Sequence, residues 1–167
     1  MIADRLADEL PPPGGRPPRP LRLRLTDGLL ESTQVALREA SADSREALVL
    51  WAGRPEGPGC IVSHLLLPRC ASGPDYLTVP QDERFAVATF LRREQLLLFA
   101  DLHTHPQAAF LSRADRARPF SAMEGFYAVV VPDFANGPAG AGWRANEAIA
   151  QDWQEVSPAV RFQPWPG

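Results

Sequence analysis

The sequence predicts an α/β fold in which a curved, mixed β-sheet packs with two main helices. Short apolar runs of strand length recur at 47–52, 60–67, 95–103, 126–131 and 143–149. Between them lie two stretches with helical spacing, 28–41 and 81–94. Turn-forming clusters such as Gly53-Arg-Pro55 and Gly57-Pro-Gly59 punctuate the rest. Mixed strands interleaved with two helices point to one sheet curled around a helix.

Taken in order, Leu21–Leu25 alternates Leu with Arg, the period-2 pattern of an edge strand with one dry face. Thr26 or Asp27 is placed to cap the first helix, whose apolar stripe is Leu29, Leu30, Val35, Ala36 and Leu37. Glu46 then opens the buried strand 47–52, ended by Gly53-Arg-Pro55. Cys60–Leu67 forms a second strand, and the Gly57-Pro-Gly59 turn makes the pair a hairpin. The second helix turns Phe85, Val87, Ala88, Phe90 and Leu91 inward, and strands at 95–103, 126–131 and 143–149 complete the pattern. Three zones follow: a Pro/Gly-rich leader over 1–20, one domain over 21–156, and a Pro- and aromatic-rich tail over 157–167 that packs on the surface or frays.

At 167 residues and 18.3 kDa the chain suits one domain with a sizeable core. A net charge of −3 argues against nucleic acid or an anionic membrane as partner. No apolar stretch approaches the roughly 20 residues needed to cross a bilayer, and the N-terminus is no signal peptide, so the expected location is the cytoplasm. Cys60 and Cys70 belong to no partner motif and are expected as free thiols. All 17 basic residues are arginine. A GC-rich gene would give that bias; so would life beside a lysine-modifying system.

The chemistry gathers at His103-Thr-His105-Pro106, followed by Ser112 and Asp115. In a strand, side chains at i and i+2 share a face, so His103 and His105 present two imidazoles to one cation. Asp115 returns after a short loop to supply an oxygen. Two nitrogens, one carboxylate and a fourth position left for water make an open catalytic site for zinc.

The run His103-Thr-His-Pro106, five residues, then Ser112-Arg-Ala-Asp115 resembles the signature of the JAMM (MPN+, JAB-domain) zinc metalloproteases in their compact prokaryotic form. The resemblance covers about 22–156 and implies the MPN/JAB, cytidine-deaminase-like fold. It implies one Zn2+ per chain held by His103, His105 and Asp115. It implies Glu46 as the general acid–base and Ser112 as a hydrogen-bond donor to the oxyanion.

Each residue also has a plainer role. Ser112 and Asp115 have the spacing of a helix capping pair, a role compatible with the catalytic one. Glu46 could cap the preceding turn, although Glu31, Glu83 and Glu94 fall on helices and Glu56 in a turn. His64 reads as a tolerated strand residue, Trp51 as core and Phe110 as rim. Arg113, Arg116 and Arg118 read as a solvated loop face, with a grip on an acidic partner as the alternative. Asp101-Leu-His-Thr-His105 is also similar to the opening of the PHP phosphoesterases, but no histidine follows to complete their metal cluster. The H-x-E with P-C-x-x-C of zinc deaminases and the H-E-x-x-H of other metalloproteases do not occur. An amidohydrolase barrel needs a longer chain.

The resemblance implies cleavage after the C-terminal glycine of a ubiquitin-like protein, by release from lysine or by precursor trimming. Cognate activating and conjugating enzymes are the implied partners, in a bacterial system of the kind used against phage. Two alternatives are a peptidase for a sulfur-carrier protein and a metal-free MPN scaffold.

Overall fold

The computed structural model describes residues 22–57 and 59–165; the expected leader over 1–20 lies outside them. Its strands are β1 (Leu23–Leu25), β2 (Leu48–Glu56), β3 (Gly59–Leu66), β4 (Ala71–Ser72), β5 (Leu77–Thr78), β6 (Leu97–Thr104), β7 (Tyr127–Val131), β8 (Arg144–Ile149), β9 (Asp152–Val156) and β10 (Phe162–Pro164). The helices are α1 (Leu29–Ala40), α2 (Gln81–Glu94) and two short ones, α3 (Arg113–Ala117) and α4 (Pro158–Arg161). Eight strands form one mixed sheet in the order β10-β1-β3-β2-β6-β7-β8-β9, while β4 and β5 make a separate ribbon. The class is α/β, as the sequence predicts.

Alternation along β2 explains how one sheet carries two cores. Val49 and Trp51 point to one face, with Leu29 and Leu37 of α1; Leu48, Leu50 and Ala52 point to the other, with Val87 and Leu91 of α2. Trp51 is fully buried, and its indole N–H donates to Thr33 Oγ1 at 2.9 Å, so its one polar atom is satisfied.

Several expectations change. β1 is not an edge strand: the tail returns as β10, parallel to β1, and Phe162 packs edge-on against Trp51 and Tyr127 at 5.3 and 5.4 Å. The cap of α1 is Gly28 in the left-handed region (φ 72°), not a Thr26 or Asp27 side chain. Val35 and Phe85 stand 40% and 56% exposed, outside the apolar stripes assigned to them. β2 does not stop at Gly53. A Cβ there would lie 1.8 Å from the Ile61 carbonyl oxygen, so glycine is what lets β3 pass this closely. Beyond Gly53, among the described residues, only β3 flanks β2, leaving Pro55 without a second neighbour there that needs its missing N–H. The β8–β9 hairpin turns on Ala150 and Gln151 at φ 51° and 66°, a turn that favours glycine or asparagine, and its sequence gives no sign of it. Among the described residues no helix is long and apolar enough to cross a membrane.

Candidate metal centre

Strand β6 lies between β2, antiparallel, and β7, parallel. Leu48 pairs with His103, and the peptide of Ala47 is clamped to Thr104: Thr104 N–H donates to Ala47 O at 3.0 Å, and Ala47 N–H donates to Thr104 Oγ1 at 2.9 Å. One further step of this register sets Glu46 beside His105, and Glu46 Oε1 lies 3.9 Å from His105 Nε2. Antiparallel pairing thus brings the distant glutamate to the histidines. Glu46 does not cap the preceding turn; its own N–H donates to Gly73 O at 2.8 Å, tying it to the turn between β4 and β5.

His103 and His105 share the face expected of i and i+2, with ring centroids 5.3 Å apart, and both are buried. Asp115 arrives from the first turn of α3. Ser112 is the N-cap: its Oγ accepts from Asp115 N at 3.1 Å, and its own N–H donates to Asp115 Oδ2 at 2.8 Å. The capping box is real, and it also aims the carboxylate. Asp115 Oδ2 stands 3.6 Å from His103 Nε2 and 3.4 Å from His105 Nε2.

These spacings fit one ion. Zinc bonds imidazole nitrogen and carboxylate oxygen at about 2.0–2.2 Å, which at tetrahedral angles separates neighbouring ligand atoms by about 3.3–3.5 Å. His103 Nε2 is buried with no hydrogen-bond partner among the described residues, an orphan atom that a cation would satisfy. Among the described residues His103, His105 and Asp115 are the one His/Cys/Asp/Glu group close enough to share a metal. His64 stays apart on β3, bonded to Ser63 Oγ at 2.8 Å.

The electrostatics agree. Burial alone would lower the His103 pKa, but the Asp101 and Asp115 carboxylates outweigh it and push it up to about 10. Burial would raise the Asp115 carboxyl; the adjoining His103 and His105 imidazoles, the His103 charge and the hydrogen bond with Ser112 hold it well below the usual range. Burial also raises Glu46, opposed by His105 and His103, an environment that would suit a general base. A pocket that favours an imidazolium this strongly favours a metal cation for the same reason.

Two features escaped the sequence. Asp101, 3% exposed and two residues before His103 on the same strand face, lies with Oδ1 3.3 Å from His103 Nδ1. The i, i+2, i+4 spacing of Asp101, His103 and His105 was the available signal. The second is a left-handed turn, Asp133–Ala135, with φ of 51°, 48° and 61° at three consecutive non-glycine residues. Such residues cost about 1–2 kcal/mol each.

A cleft of about 650 Å³ opens over the centre, lined by Glu46, His105, Ser112 and Asp115, with Tyr76, Phe110 and Arg118 also in its wall. Phe110, 58% exposed, meets the His105 ring edge-on at 5.1 Å. Of the three arginines expected on a loop face, Arg113 and Arg116 lie on α3, and Arg116 pairs with Asp152 at 3.7 Å.

No family model matches the chain. A probable metalloprotease of Sinorhizobium fredii is 27% identical over 140 residues, covering 78% of this chain and 85% of that protein. The solution structure of a Desulfitobacterium hafniense protein superposes with a TM-score of 0.66 at 16% identity, over 86% of this chain and 94% of that one. The crystal structure of a JAB1/MPN domain protein from Archaeoglobus fulgidus superposes with a TM-score of 0.50 at 19% identity, over 84% of this chain and 98% of that one. The two structural likenesses show a shared fold; the relative is a probable metalloprotease by name.

Proposed function

We propose that this chain, a protein of the JAMM/MPN family by its motif, relative and fold, is a zinc-dependent isopeptidase or peptidase acting after the C-terminal glycine of a ubiquitin-like modifier. One observation carries the peptidase reading: Glu46 stands 3.9 Å from a histidine of a ligand trio whose spacings suit one ion, in an open cleft. When bound, zinc supplies Lewis acidity, acidifying water and polarising the scissile carbonyl.

Glu46, buried and raised in pKa, takes the proton of the attacking water and hands it to the leaving amine. Ser112 Oγ accepts from Asp115 N but keeps its own proton, which it donates to the oxygen that becomes negative as the carbonyl carbon turns tetrahedral. His103, His105 and Asp115 hold the metal and leave one side open to the cleft.

The glycine preference rests on the resemblance and on shape. A tail of glycines brings no side chains past the Phe110 and Tyr76 walls. Activating and conjugating enzymes of the same modifier are the proposed partners, with the cytoplasm the proposed setting. The test is to incubate the purified protein with a modifier–target fusion encoded beside its gene. Chelator-sensitive cutting after the final glycine is expected. An intact fusion with zinc-loaded protein rules out this substrate class, and release of cysteine from a sulfur-carrier protein would then identify the other one.

A further inference from the structure

The left-handed turn at Asp133–Ala135 makes specific contacts with the segment that follows β6 and carries His105. Phe134 N–H donates to His105 O at 2.9 Å and Asp133 N–H donates to Gln107 O at 3.0 Å, while His105 N–H donates to Val131 O at 2.9 Å just before the turn. The backbone on both sides of the His105 ring is therefore held by one segment. That segment is in turn held from α1, where the Gln34 amide donates to the carbonyls of Ala135 and, at 2.7 Å, Gly137. Gln34 is 5% exposed, and its Oε1 is buried with no hydrogen-bond partner among the described residues. Burying an amide that satisfies its donors but not its acceptor is unfavourable unless those donors matter. Three non-glycine residues in the left-handed region are likewise kept only where their surroundings over-determine them.

We infer that Gln34 and the Asp133–Ala135 turn are the positioning device for His105: Gln34 locks a strained turn whose amides fix the backbone of that ligand. Neither is a catalytic residue, and the inference rests on the metal-centre reading. β6 ends at Thr104, so His105 has left the strand and needs another means of being fixed. The turn supplies it from β7, and Gln34 connects it to the α1 side of the core.

The experiment measures Zn2+ and Co2+ affinity of the full chain by competition with a chromophoric chelator, with the visible bands of the Co2+ form as the geometric readout. Gln34→Leu is expected to bind zinc about tenfold more weakly, and its Co2+ bands are expected to shift and broaden, with far-UV circular dichroism unchanged. Ala135→Gly, which adopts a positive φ without strain, is expected to keep wild-type affinity and to restore most of the loss when combined with Gln34→Leu. A loss that reflected only a hole left by Gln34 would not be restored this way. Gln34→Asn keeps the amide with a shorter reach and is expected to show a milder loss of the same sign, which decides the matter if the leucine variant does not fold. Wild-type protein that takes up neither ion overturns the metal reading and this one together. Wild-type binding with undiminished affinity in the Gln34 variants overturns the positioning role alone.

Discussion

Asp101 Oδ1 lies 3.3 Å from Nδ1 of His103, while Nε2 of the same ring looks toward Asp115 Oδ2 at 3.6 Å. A carboxylate can only accept here, so the proton sits on Nδ1 and Nε2 is the atom left for a metal. Asp101→Ala is expected to weaken zinc binding by about 10–100-fold, with Asp101→Asn, which can still accept, losing less. Competition titration with a chelator measures both, and equal affinity in Asp101→Ala would remove Asp101 from the centre.

On the proposed mechanism Glu46 carries protons without holding metal. Glu46→Gln is expected to keep one zinc per chain and the wild-type melting temperature while lowering kcat by about 10²–10⁴. Full activity in that variant would show that another group moves the proton.

Ser112 has a capping role and a proposed catalytic one, which one substitution confuses and two can separate. Alanine removes the N-cap, at about 1 kcal/mol, and also the hydroxyl donor. Glycine is a tolerable N-cap, costing only a few tenths of a kcal/mol, yet it too lacks the donor. Ser112→Gly is therefore expected to melt near the wild type while kcat falls by about 10²–10³. If activity tracked melting temperature across the two variants, capping alone would explain Ser112.

What the sequence could show was set by the range over which each signal acts. His103 and His105 were legible because strand periodicity is local, and Asp115 because a capping box is a local motif. Glu46 needed the antiparallel register of β2 with β6, and only the family resemblance supplied it. The spacing of Asp101, His103 and His105 is readable, but it is equally that of the PHP phosphoesterase opening. Gln34 had no signal, since its partners lie about a hundred residues away on a turn whose left-handed residues are Asp, Phe and Ala. The tail strand was hidden for a similar reason. Phe162 and Trp165 look like a fraying end until β1 and Trp51 are beside them: Trp165 N–H donates to Leu25 O at 2.7 Å.

The apo centre is also a proton trap, which makes a pH prediction with a definite sign. His103 has its folded pKa raised from 6.5 to about 10, chiefly by Asp101 and Asp115 acting against burial. A group raised on folding contributes stability that is complete below its unfolded pKa and is lost as pH rises through the folded value. Chelator-treated protein is therefore expected to melt at progressively lower temperature between pH 6.5 and 10. The His103→Gln variant should lack that component, which separates it from other groups that titrate when alkaline, such as the Cys70 thiol, raised by burial to about 11. In a zinc-loaded protein His103 would be a neutral ligand, so the slope should vanish there too, and zinc uptake at pH 7 should release a proton. Melting curves across this range with and without chelator, together with the proton release on adding zinc, measure the effect. A chelator-treated protein whose pH slope matches that of His103→Gln would mean that no imidazolium is held between those carboxylates.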